Sequence, residues 1–249
     1  MYYSNSPNRY QYKAENYISQ SPSKSLPKLY ITYYSSLLTI SPYMPSFSPK
    51  KEKIEKSFSA ILKVEGDNSK LYFLLGFVLI EKIAFSEQRR SEHIAKLVED
   101  SLEEIRRHPK TTSEEKILLN DVKKNFKSLI AECPLDQFQN VDKLKWIRKK
   151  ADEAQFDKDM TLCIVQIARC SLINYLIRNN LHYKYHAVFQ DMIDKFQTVD
   201  GNLGDHILGW FSSCFNIKIT NYYLFSTNID EVIYGKHETD ETFLIESTR

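Results

Sequence analysis

Residues 156–181 read FDKDMTLCIVQIARCSLINYLIRNNL, and the architecture follows from how that stretch is read. From Met160 to Ile177 only Thr161, Gln166, Arg169, Ser171 and Asn174 are polar. A helix that is apolar on nearly every face is buried, either in a protein core or in a membrane. The polar interruptions leave no run of ~18 unbroken apolar residues, which argues against a span. The expectation is a central core helix with shorter amphipathic helices packed around it. The expected fold class is therefore all-α in the main, a multi-helix bundle with at most a short β segment near the C-terminus.

Composition narrows the function classes. The 249 residues are 42% hydrophobic and 27% charged with a formal net charge of +2, which suits a globular chain able to bury a core. Such a balance lacks the field of a dedicated nucleic-acid binder, so no nucleic-acid partner is expected. Only six glycines are present, and the GxxxxGK[ST], GxSxG and GxGxxG patterns are absent. No cofactor is expected on that basis. The four cysteines form no CxxC, and Cys163 and Cys170 would stand roughly 10.5 Å apart along a helix, too far for a disulfide. Reduced thiols and the lack of a signal-peptide pattern point to a cytoplasmic setting.

Working outward, residues 1–50 hold six of the eight prolines, eleven serines, nine of the sixteen tyrosines and no glycine. Residues 1–28 read as a loose arm, and Leu29 to Ile40 fits a helix or a strand equally. Ser48-Pro49 resembles a helix start, with Ile54, Phe58, Ile61 and Leu62 at helical spacing and Gly66 as a stop. Leu71 to Ile80 is a buried helix, and Ser91 to Arg107 an amphipathic one with a Glu103–Arg107 pair. Thr112-Ser-Glu-Glu115 is a capping box for the next helix. Val141 to Glu153, Tyr183 to Phe196 and Ile207 to Phe215 complete the helical set. Asn216 to Phe225 alternates as a strand does, without an evident partner. Thr227 to Asp230 resembles the cap of a short helix ending near Gly235. The domain is expected to span 29–235, with 236–249 an acidic tail.

Three clusters carry possible chemistry. His182 and His186 have metal-capable i,i+4 spacing, but Tyr183 stands where a zinc protease needs glutamate, so no metal site is assigned. Cys133, beside a chain break, is the one thiol expected to be exposed, whereas apolar surroundings should make the core thiols inert. Lys143, Lys145, Trp146, Arg148 and Lys149 form a basic run able to contact an anionic membrane surface, although Asp152 and Glu153 offset part of it.

A family likeness joins these pieces. Phe77 to Phe85 has an apolar–Glu-Lys–apolar pattern ending in phenylalanine. Lys110-Thr-Thr-Ser-Glu-Glu-Lys116 precedes an amphipathic helix, and Asp157 and Asp159 lead into the core helix. From about Leu71 to Ile217 this order resembles the helical exchange domain of the vacuolar-sorting type, found in guanine nucleotide exchange factors for early-endosomal Rab GTPases. The resemblance implies a Rab-family partner, with Asp159 or Asp157 as the acidic residue that engages the GTPase. It places Asp205 and His206 near the contact surface. Leu162 stands where the family has a proline, and Gly204-Asp205-His206-Ile207 lacks the family's tyrosine. The core helix is longer by over a turn, and the segment from Phe85 to Lys110 is short for the family. A diverged copy, such as a pathogen effector acting in host cytosol or on endosomal membranes, would carry such departures. A non-catalytic helical adaptor is the alternative.

Overall fold

A computed structural model describes residues 29–33, 60–64, 70–133, 140–182, 204–223, 230–235 and 241–246. Among them are six helices: α1 (Lys70–Phe85), α2 (Gln88–Arg107), α3 (Ser113–Ala131), α4 (Asn140–Phe156), α5 (Lys158–Arg178) and α6 (Gly204–Phe215). The strands are β1 (Leu29–Tyr33), β2 (Ala60–Val64), β3 (Lys218–Tyr223), β4 (Asp230–Tyr234) and β5 (Glu241–Glu246). The fold is mainly α, built around a central helix as its sequence implies.

That central helix is α5, which packs against each of the other five described helices. It is long and apolar enough to cross a membrane, yet 72% of its most apolar window is buried inside the molecule. Its polar residues are accommodated rather than exposed. Asn174 Nδ2 donates to Ser101 Oγ at 3.0 Å, and Ser171 Oγ donates to the Ile167 carbonyl at 2.6 Å. Arg169, 1% exposed, lies over the Tyr72 ring at 5.6 Å. A buried polar group costs little once hydrogen-bonded, which is how Ser171 and Asn174 fit within a core helix.

Helix α1 is the main partner of α5. Gly76 sits where the two helices approach, and a Cβ there would collide with the Ile164 carbonyl oxygen. The amphipathic α2 turns Ile94, Val98, Leu102 and Ile105 inward. Thr112 caps α3 as expected: its side chain accepts from the Glu115 N–H at 3.2 Å, and Glu115 Oε2 accepts from the Thr112 N–H at 2.7 Å. The reciprocal bonds satisfy donors that a helix start leaves open.

The strands form one sheet in the order β2-β1-β5-β3-β4, parallel except for the β3–β4 pair. Three expectations are corrected here. Residues 241–246, within the stretch read as an acidic tail, form β5, which pairs with both β1 and β3. The net negative charge masked Thr242-Phe243-Leu244-Ile245, a run of good strand formers. Residues 230–234, read as part of a short helix, form β4, because so short a helix is marginal whereas pairing with β3 satisfies its backbone. Ile61 and Leu62, placed on a helix, lie in β2. The Asn216–Phe225 strand thus has two partners, and the ambiguous Leu29 stretch is a strand over 29–33. The expected Tyr183–Phe196 helix lies outside the described residues. All six helices fall in the connection between the parallel strands β2 and β3, so the bundle is one long crossover.

Candidate functional site

The entry to α5 is where the sequence placed its acidic residues, and the two aspartates divide the work. Asp157 has extended backbone (φ −106°, ψ 107°) and is the N-cap of α5. Its Oδ1 accepts from the Asp159 N–H at 2.9 Å and the Met160 N–H at 3.1 Å. Asp159 is exposed in the first turn, with its carboxylate outside the cap. Both residues stand at the N-terminal, positive end of a 21-residue helix. Thr161 Oγ1 reaches back to the Ala154 carbonyl at 2.5 Å and ties this entry to the end of α4.

Asp205 and His206 lie on a different element, the first turn of α6. His206 is exposed and its ring stacks on Trp210, with centroids 5.8 Å apart and planes 21° from parallel. The far end of α6 is anchored: Arg90 Nη2 donates to the Phe215 carbonyl and to the Asn216 carbonyl, the latter at 3.2 Å. Neither Asp157 nor Asp159 shares a hydrogen bond or ion pair with this pair among the described residues. The four residues thus come from two elements, the start of α5 and the start of α6.

The basic run on α4 is less of a surface than its sequence implies. Lys145 pairs with Asp142 at 3.8 Å and Lys149 with Glu153 at 3.6 Å, both exposed and weakly held. Lys143 is 7% exposed, and Trp146 is half-buried. The side chain of Arg148 lies outside the described residues. Lys150, the last residue of the basic run, is 5% exposed and holds Glu132 at 2.6 Å and Glu153 at 2.8 Å. Burial pulls the Lys150 ammonium down, and the two carboxylates outweigh that and hold it above its usual value. Glu153 at i+3 was legible in the sequence, whereas Glu132, from α3's end, was not.

The thiols offer no nucleophile. Burial pushes Cys163, Cys170 and Cys214 up to about 12, and Cys133 up to about 11 against the lowering influence of Lys143. The expectation that Cys133 is exposed is corrected: it is 5% exposed, packed with Ala84 and Ile147. Cys133 itself packs against the end of α1 and against α4 rather than facing solvent. His182 is described and His186 is not, and no group of three metal-capable side chains occurs among the described residues. No protein-family model matches this chain, and none of the curated proteins matches it.

Proposed function

We propose that this chain is a protein-interaction module that binds a small GTPase of the Rab type and promotes release of its nucleotide, with Asp159 as the acidic element. The observation that carries the reading is the division of labour at the start of α5. Asp157 is committed to the cap, while Asp159 presents an exposed carboxylate on a helix start held by that cap. Placed against a nucleotide site, such a carboxylate competes for the phosphate-binding lysine and for Mg²⁺. It weakens nucleotide binding by electrostatics and needs no covalent step. A second support is extent: the six described helices occupy residues 70–215, the span over which the exchange-domain resemblance runs, and the strands lie outside it. His206, restrained by Trp210, would lie at the edge of the contact.

The alternative, an adaptor that meets an anionic membrane surface through α4, has weaker support. Its exposed lysines are offset by Asp142 and Glu153, and Lys143 and Lys150 are buried. Release of fluorescent GDP from a panel of Rab-family GTPases tests the leading reading. The expected outcome is acceleration for a subset of the panel that disappears in Asp159→Ala.

A further inference from the structure

The sheet ends on β4, and that end is unlike the other. β4 pairs with β3 along one side, and no described strand pairs with its other side. The pairing advances one residue at a time from Tyr223↔Asp230 to Ile219↔Tyr234, so no bulge turns the strand away. β2, at the opposite end of the sheet, carries Lys63, a charge of the kind that keeps an edge from pairing. In β4 the charges stop at Glu231, and Val232, Ile233 and Tyr234 follow. Tyr234 packs against the core and holds the strand in place.

Exposure picks out the same strand. Among the described residues the exposed large hydrophobic side chains are Ile117 on α3 and, on β4, Val232 at 38% and Ile233 at 51%. Consecutive strand residues point to opposite faces, so a partner lying on either face of the sheet would cover only one of the two. A strand added along the edge covers both and takes up the open backbone groups as well. Charge selects the strand. A second copy paired antiparallel about a two-fold sets one residue of β4 opposite itself. A two-fold on Asp230 or Glu231 opposes like charges, and parallel in-register pairing opposes both residues to their own kind. A two-fold on Val232 uses all five residues: Val232 stands opposite the partner's Val232, Glu231 opposite the partner's Ile233, and Asp230 opposite the partner's Tyr234. No acidic residue then meets another. We propose that β4 is the dimerisation edge of this chain, joining two copies antiparallel about Val232 so that their five-stranded sheets run on as one. The contact draws on none of Asp157, Asp159, Asp205 or His206.

So small an interface holds weakly, and dimerisation is expected between about 1 μM and 1 mM. Sedimentation velocity over that range should show the parent passing from monomer to dimer. Position 233 then tests the register, because each copy sets it opposite Glu231. Ile233→Glu is expected to weaken dimerisation by about tenfold or more, since the like-charge pair enters twice by symmetry. Ile233→Lys is expected to keep the dimer, since opposite charges then stand across the edge. A parent that stays monomeric throughout, or grows into larger assemblies, overturns the proposal. So does an Ile233→Glu chain that dimerises as the parent does, or an Ile233→Lys chain that loses the dimer. Circular dichroism establishes that each variant folds. Should Ile233→Glu not fold, Val232→Lys, which opposes like charges at the two-fold itself, replaces it with the same expectation.

Discussion

Glu103 shows how much one side chain can join, and how much of that the sequence reveals. Its carboxylate takes Arg106 at 2.6 Å, Arg107 at 2.9 Å and Lys123 at 3.2 Å. The Arg107 pair was legible from i,i+4 spacing. The Lys123 contact was not, because it crosses from α2 to α3 and no local spacing encodes it. Hydrogen bonding to Arg106, then Lys123, holds Glu103 down at about 2. The folded state thus binds fewer protons than the unfolded chain between about pH 4.5 and 2. Stability contributed by Glu103 is present above that window and lost as pH falls through it. Glu103→Gln is expected to flatten the acid limb of stability against pH and leave the fold intact, as read by urea midpoints from pH 2 to 6. The Thr112–Glu115 capping box was legible for the opposite reason: it is local.

At the scale of elements, α1 and α5 carry the fold, and hydrophobic patterning found both. Pattern did not show how closely they approach. Gly76 looked like one more small residue in an apolar run, yet its missing side chain is what lets the α1 backbone reach the Ile164 carbonyl of α5. Gly76→Ala is expected to destabilise the protein by about 3 kcal/mol, because the helices must separate and repack. Chemical denaturation measures this directly, and a loss below about 0.5 kcal/mol would contradict the close approach. Gly235 is a second such position. It has φ +87°, and a side chain there would meet Ser212 and the Ile217 carbonyl, where α6 turns into β3. The sequence offered this glycine as a helix stop, and it closes a strand instead.

For the whole molecule, local signals served the helices well and the sheet poorly. Helices are written in nearby residues, whereas β5 depends on β1 more than two hundred positions away. Charge at the C-terminal end outweighed Phe243-Leu244-Ile245 when only neighbours were considered. Removing residues 236–249 is therefore expected to do more than trim an end. It takes out the strand between β1 and β3, leaves two edges without partners, and should yield aggregating protein. Solubility and size-exclusion profiles of that truncation check the point, and a monodisperse, fully folded product would contradict it. The candidate site was legible only in part. Asp157 and Asp159 could be placed at the helix entry, but their separate roles needed hydrogen-bond geometry. Lys143 looked solvated because spacing within α4 does not show that its side chain is largely buried in the fold.

The most direct test compares GDP release by Asp157→Asn and Asp159→Asn beside the parent chain, with each variant's melting temperature recorded. Asp157→Asn should keep most of the acceleration, since asparagine also caps helices well. Asp159→Asn should keep its melting temperature and lose the acceleration. If Asp159→Asn speeds nucleotide release as the parent does, or the parent itself accelerates no Rab-family GTPase, the exchange reading is wrong.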